Sequence, residues 1–83
     1  MNIYIGNLHY GVRENDLKEI MEEYGIVNST KLITDRETGR SKGFAFIEME
    51  NDNEAGNAIN ALNGAELEGR TMVVKEATPR KSY

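Results

Sequence analysis

The residues with the clearest capacity for chemistry are the aromatic ones in the segment Lys42–Met49. Phe44 and Phe46 alternate there with Ala45 and Ile47. Successive side chains of a β-strand point to opposite faces, so this pattern puts both phenylalanines on one face and the aliphatic residues on the other. Charged residues stand at both ends of the phenylalanine face, which disfavours deep burial. The pattern therefore predicts that both rings belong to an exposed aromatic surface.

Length and composition bound the architecture that must position these rings. The chain has 83 residues, of which 39% are hydrophobic and 29% charged, and this composition is typical of one small globular domain. A domain of this size buries only roughly 60% of its unfolded surface, so the core must be compact. There is no cysteine and only one histidine, His9. We therefore predict no disulfide, no metal site and no cofactor.

Several function classes find no support in the sequence. No serine has a plausible catalytic partner beyond His9, no glycine-rich loop could cradle a phosphate, and the acidic residues are typical of solvated helix faces, so we predict that the protein is not an enzyme. No apolar run approaches the roughly 20 residues of a membrane span, and the N-terminus lacks the pattern of a signal peptide. We expect a cytoplasmic monomer without membrane contact.

Hydrophobic periodicity predicts a β-α-β-β-α-β order. The predicted elements are a strand over Ile3–Leu8, a helix over Glu14–Tyr24, strands over Val27–Ile33 and Lys42–Met49, a helix from the Asn51 cap to Leu62, a short extended piece in Glu66–Gly69 and a strand over Thr71–Ala77. Each helix has one apolar stripe, so both should cover the same sheet face. The predicted fold is α+β: a ferredoxin-like sandwich with a four-stranded antiparallel sheet and two helices on one face.

This arrangement adds a third ring to the open face of the sheet. If Ile3 and Ile5 face the helices together with Ala45 and Ile47, Tyr4 must face solvent beside the two phenylalanines. Three further tyrosines lie elsewhere, and one of them, Tyr83, belongs to the predicted tail. Tyr24 has helical spacing and is predicted to be core, whereas Tyr10 could pack over a sheet edge or touch a ligand.

Lys42–Met49 resembles the octamer motif of RNA recognition motif (RRM) domains. It conforms at every position but the last, where Met49 stands in place of Phe or Tyr on the inward face. Ile3–Leu8 resembles the partner hexamer of the same family, and Thr34–Ser41 and Asn63–Gly64 extend the likeness over nearly the whole chain. The resemblance is to small single-RRM proteins of bacterial type. We expect an RRM domain over residues 1–78 and a tail over 79–83; the initial methionine favours a complete small protein over an excised domain.

The resemblance implies a role for each matching residue. Tyr4 is similar to the ring that stacks one base, Phe46 to the ring that stacks its neighbour, and Phe44 to the ring between the two riboses. Lys42 matches the residue that pairs with a phosphate. Further candidate contacts are Asn7, Arg40, Val73, Lys75 and Arg80. The implied partner is single-stranded RNA, with single-stranded DNA left open, and the alternative is an RRM fold used as a protein–protein interaction module.

The acidic balance of the chain opposes nucleic-acid binding. The net charge is −4 and the pI is about 4.9, whereas indiscriminate nucleic-acid binders are basic. The charges are unevenly placed, however, because the predicted helices are acidic and most basic residues fall on strands, the hairpin loop or the tail. Glu48 and Glu76 are expected close to the rings. We therefore predict roughly micromolar affinity with a shallow salt dependence.

Overall fold

A computed structural model of the chain describes residues 1–77. Its elements, in chain order, are β1 (Asn2–Gly6), α1 (Glu14–Glu22), β2 (Val27–Thr34), β3 (Ser41–Met49), α2 (Asp52–Leu62), β4 (Glu66–Leu67), β5 (Arg70–Thr71) and β6 (Val73–Ala77). The predicted tail over 79–83, with Arg80, lies outside the described residues.

Four of the strands form one sheet in the order β2-β3-β1-β6. All three pairings in this sheet are antiparallel. Strands β4 and β5 pair separately as a small hairpin between α2 and β6. The predicted ferredoxin-like α+β fold is therefore confirmed, with this hairpin as an addition.

The core lies between the helices and one face of the sheet. Ile3, Ile5, Ala45 and Ile47 are each at most 1% exposed, as the alternation predicts. The helices supply the other side of the same cluster with Leu17, Met21, Ala55, Ala58 and Leu62. Met49 is fully buried, so it fills core space where the family pattern has an aromatic ring. Neither helix within residues 1–77 is long and apolar enough to cross a membrane.

Helix α1 begins where predicted and ends slightly earlier. Arginine is a weak N-cap, and here the backbone N–H of Arg13 donates to the carboxylate of Asp16 at 3.0 Å. That bond satisfies one of the unpaired donors at a helix start. At the other end, the N–H of Tyr24 donates to the carbonyl of Met21 at 3.0 Å, a tightened turn that closes the helix. Tyr24 packs half-buried against the core, as predicted.

Helix α2 has the predicted asparagine cap. The side-chain oxygen of Asn51 accepts a hydrogen bond from the N–H of Glu54 at 3.0 Å. Asn51 itself is extended, with φ −91° and ψ 117°. This is the geometry in which a short polar side chain can reach back to the first helical turn, so the local sequence determines where α2 begins.

The predicted last strand, Thr71–Ala77, is interrupted at Met72. The N–H of Met72 donates to the carbonyl of Ala65 at 2.8 Å, and its carbonyl accepts from Gly64 at 2.9 Å. Its backbone is thus paired with the segment after α2, so β5 and β6 are separate strands. Periodicity alone could not detect this, because the alternation continues through the break.

Gly43 occupies an irregular position in β3, where the register with β2 shifts between Leu32 and Thr34. Its φ is +86°, in the left-handed region. Its carbonyl accepts from the N–H of Leu8 at 2.9 Å. A Cβ at this position would lie 3.2 Å from the carbonyl oxygen of Leu8. Glycine is therefore required both by the backbone conformation and by the close approach of the loop after β1.

Replacing this glycine should destabilise the fold. We expect Gly43→Ala to lower the free energy of unfolding by about 1–3 kcal/mol, through left-handed strain and the contact with the Leu8 carbonyl. Urea denaturation measures this loss in the free energy of unfolding.

Two other glycine substitutions serve as controls. Gly39→Ala isolates the backbone strain, since Gly39 has φ +73° and nothing lies within 4 Å of its Cβ position. Gly56→Ala, inside α2, should stabilise by about 0.5–1 kcal/mol. Equal losses for Gly43→Ala and Gly39→Ala would contradict the role of the Leu8 contact.

Candidate nucleic-acid interface

The open face of the sheet carries three aromatic rings in mutual contact. Ring centroids are 6.1 Å apart for Tyr4 and Phe44, 5.8 Å for Tyr4 and Phe46, and 6.0 Å for Phe44 and Phe46. Phe46 is 40% exposed, and the other two rings are half-buried against their neighbours. Tilted and edge-on contacts at these distances are favourable for aromatic pairs. The rings therefore support one another while one side of the group stays accessible; we call these three residues the aromatic platform.

The absence of a side chain at Gly6 determines how Tyr4 lies. Gly6 follows Tyr4 by two residues, so the two positions share a sheet face. A Cβ built on Gly6 would come within 2.7 Å of ring atoms Cε1 and Cζ of Tyr4. The tyrosine ring therefore lies down over the backbone of Gly6, and Gly6 is buried even though it belongs to the open face.

Strand pairing places a lysine at each end of one row across the sheet. In this row, Lys31 pairs with Phe46, Phe46 with Tyr4, and Tyr4 with Lys75. The Nζ of Lys75 lies 5.4 Å from the centroid of the Tyr4 ring, within cation–π range. Two aromatic rings are thus flanked by two cations at the sheet edges.

Val73 extends the apolar area next to Tyr4. It pairs with Gly6, whose backbone lies under the tyrosine ring. Its side chain is 44% exposed, and it shares the open face with Lys75 two residues later. The prediction that Val73 and Lys75 lie on the open face is confirmed.

The two acidic residues expected near the rings lie on different faces. Glu48 pairs with Asn2 and is exposed on the platform face, two residues after Phe46. Glu76 pairs with Ile3, whose side chain is buried under the helices, so Glu76 lies on the helix side at the sheet edge. The register therefore places Glu76 on the opposite face of the sheet from the platform rings. The open face is consequently less acidic than expected.

Comparison with known proteins places this arrangement in a family. A family model described as RNA recognition motif matches residues 3–73. The chain belongs to the RRM family. It is 52% identical over 82 residues to the protein named "Putative RNA-binding protein RbpA" of Synechocystis sp., a match that covers 99% of this chain and 81% of that protein.

Solved structures agree with this assignment. The crystal structure of RNA-binding protein PG1 is 55% identical, with a TM-score of 0.93 and 99% coverage of both chains. The structure of the Rna15 RRM with bound RNA (GU) is 31% identical, with a TM-score of 0.86, and the match covers 94% of this chain and 83% of that one. The family, and not only the fold, is therefore shared.

Lys42, the predicted phosphate contact, and Arg40, a further candidate contact, lie beside the platform. Lys42 and Arg40 are both exposed. Within the described residues, neither forms an ion pair. Both also face a groove next to Phe44. A basic side chain not held by an internal carboxylate can reach a ligand without first losing a partner.

Among the predicted site residues, Asn7 is the least available to a ligand, because both ends of its side-chain amide are hydrogen-bonded within the protein. Its amide nitrogen donates to the carbonyl of Thr71 at 2.7 Å, and its amide oxygen accepts from Arg70 at 2.8 Å. Its φ is +58°, a conformation that asparagine tolerates better than most residues. Asn7 thus ends β1 and ties it to β5, and a direct contact with a ligand would require these bonds to be exchanged.

The position of the Tyr4 ring gives a testable prediction. Gly6→Ala should lift the ring from the sheet, because Gly6 has an ordinary φ and the three atoms nearest to a Cβ there all belong to the Tyr4 side chain. We expect the ring-proton chemical shifts of Tyr4 and Phe44 to change in NMR spectra while the amide shifts of both helices stay in place. Gly56→Ala, with no neighbour within 4 Å, is the control. Retention of the wild-type ring contacts would show that the backbone yields instead.

Proposed function

We propose that this RRM binds single-stranded RNA on its open sheet face, by stacking and phosphate pairing and without catalysis. The observation that carries the proposal is the aromatic platform, with two of its rings in a row flanked by Lys31 and Lys75. Unpaired bases expose flat faces that stack on such rings, and their phosphates are attracted to the lysines. RNA binding is also what the names of its relatives state for those proteins.

Each ring has a distinct part in this proposal. Tyr4 and Phe46 stack adjacent bases, and Phe44 lies between the riboses. Lys42 pairs with a phosphate. Lys75 lies over Tyr4, so an arriving base displaces its ammonium group, which then becomes available for a phosphate. Arg40 and Val73 extend the contact, whereas contacts from Asn7 and Arg80 stay predictions.

Stacking should dominate the affinity. Each stacked base contributes about 1–3 kcal/mol, and micromolar binding corresponds to roughly −8 kcal/mol. Two or three stacks with a few phosphate pairs reach that range after ordering costs are subtracted. The net charge of −4 limits the electrostatic contribution to this affinity.

We also propose that the protein acts as a cytoplasmic monomer.

Removing one ring tests this function. We expect Phe46→Ala to weaken binding of mixed-sequence single-stranded RNA by about 1–3 kcal/mol, because one stack is lost. Fluorescence anisotropy titration measures the affinity. The fold should persist, since Phe46 is 40% exposed and lies outside the core.

A matched control separates stacking from general loss of apolar surface. Ile26 is 67% exposed and lies in the connection between α1 and β2, so Ile26→Ala should leave affinity unchanged. Wild-type affinity in the Phe46→Ala variant would refute binding on the platform. A stronger response to single-stranded DNA would reassign the ligand. No response to either nucleic acid, with binding of a protein partner that Phe46→Ala abolishes, would establish the protein-interaction alternative.

The charge of Glu48 gives a second prediction. Glu48→Gln should strengthen RNA binding by roughly 0.2–1 kcal/mol, the range for exposed charge pairs, because it removes a negative charge from the face that the phosphates approach. The gain should shrink as salt rises, since screening shortens the range of the repulsion. Glu76→Gln, on the helix side, should have a smaller effect. Weaker binding by Glu48→Gln would mean that the carboxylate contacts the RNA directly.

A further inference from the structure

An open groove of about 1120 Å³ begins at the edge of the aromatic platform. Phe44 forms its inner end, so the groove and the platform share a residue. One wall is the loop between β1 and α1, with Tyr10 and Arg13, and the other is the connection between β2 and β3, with Arg40, together with Lys42 at the start of β3. Its volume slightly exceeds the roughly 300–1,000 Å³ of typical small-molecule sites, so it has room for a nucleotide.

Among residues 1–77, Tyr10 is the aromatic residue that belongs neither to the platform nor to the core. Its side chain is 67% exposed although its neighbours Leu8 and Val12 are both buried. The loop that carries it is ordered by its own hydrogen bonds: the N–H of Gly11 donates to Nδ1 of His9 at 2.9 Å, and the N–H of Val12 donates to the His9 carbonyl at 3.1 Å. Tyr10 is thus held out of the core by a fixed turn and lines the groove.

The opposite wall is also preformed. Asp35 organises it, because its side-chain Oδ1 accepts from the N–H of Glu37 at 2.8 Å and of Thr38 at 3.4 Å. The backbone of Asp35 pairs with Arg40 at 2.7 Å and with Gly39 at 2.8 Å. The carboxylate of Asp35 is therefore engaged with the loop, although it also lines the groove.

The groove is charged in favour of a phosphate. Arg13, Arg40 and Lys42 contribute three cations to its walls, against the one carboxylate of Asp35. Within residues 1–77, none of the three cations forms an ion pair. An exposed aromatic ring with unpaired cations around it is the combination that binds a base and its phosphate.

We propose that this groove binds one further nucleotide of the strand that crosses the platform, with its base on Tyr10 and its phosphate between Arg13 and Arg40. The inference rests on the proposed function, because the strand must reach the groove past Phe44. It adds a subsite that lies off the sheet face, and it predicts a binding site longer than the platform alone provides.

The test is a length series of mixed-sequence single-stranded RNAs, extended from a dinucleotide by one nucleotide at a time at either end. We expect Tyr10→Ala to leave the affinity for the shortest RNAs unchanged. Once the strand is long enough to enter the groove, the same variant should bind about 5- to 20-fold more weakly than wild type. Tyr10→Phe should retain wild-type affinity at every length, since it keeps the ring. Tyr10 is exposed, so the variant should keep the wild-type unfolding temperature.

The outcomes separate the subsite from the function on which it rests. Phe46→Ala should weaken binding at every length, whereas Tyr10→Ala should act only on longer RNAs. If Phe46→Ala weakens binding and Tyr10→Ala has no effect at any length, or the same effect at all lengths, the groove is not a subsite. If neither variant changes binding, the proposed function itself fails. Amide shifts of Gly11 and Gly39 that respond only to longer RNAs would support the subsite independently.

Discussion

The register between β1 and β3 is the constraint on which the rest of the structure depends. Because Tyr4 stands opposite Phe46, Ile3 stands opposite Ile47 on the other face. A slip of one residue would expose the buried isoleucines, each of which stabilises the fold by roughly 1.5–3 kcal/mol through burial. Against a typical net stability of about 5–15 kcal/mol, such a slip is prohibitive. The core therefore enforces the exposure of the platform, and the rings need no polar anchor to stay outside.

The same constraint resolves the conflict between an acidic chain and an anionic ligand. Alternation along β6 places Lys75 on the platform face and Glu76 on the helix face. The helices carry six of the fourteen acidic side chains on the far side of the sheet. Screening over roughly 8 Å reduces the influence of these charges on a bound phosphate. Glu48 is the acidic residue that alternation leaves on the platform face of β3. A negative net charge is thus compatible with the binding that we propose for this face, in which stacking contributes more than electrostatic attraction.

Most of the fold could be predicted from the sequence because its determinants are local. The asparagine cap at Asn51 and the alternation in β3 each follow from a few adjacent residues. What could not be predicted depends on partners distant in the chain. Met72 leaves the last strand because its backbone pairs with Ala65, and Asn7 is tied to Arg70 across the molecule. Neither of these hydrogen bonds can be predicted from the hydrophobic periodicity of the sequence.

The residues of the candidate site also divide into those whose placement follows from local sequence and those whose placement does not. The positions of the platform rings follow from alternation and from the family motif, so the sequence was sufficient to identify them. The sequence does not determine the position of Tyr10, because the choice between packing and exposure depends on the turn formed by His9 and on the distance to the opposite loop.

The glycines beside the platform show how the site is shaped by absent side chains. Gly6 lets the Tyr4 ring lie on the sheet, and Gly43 lets the loop after β1 approach β3 next to Phe44. That approach positions the loop bearing Tyr10 at the end of the platform. Two positions without a side chain therefore determine both the arrangement of the platform and the approach of the loop beside it.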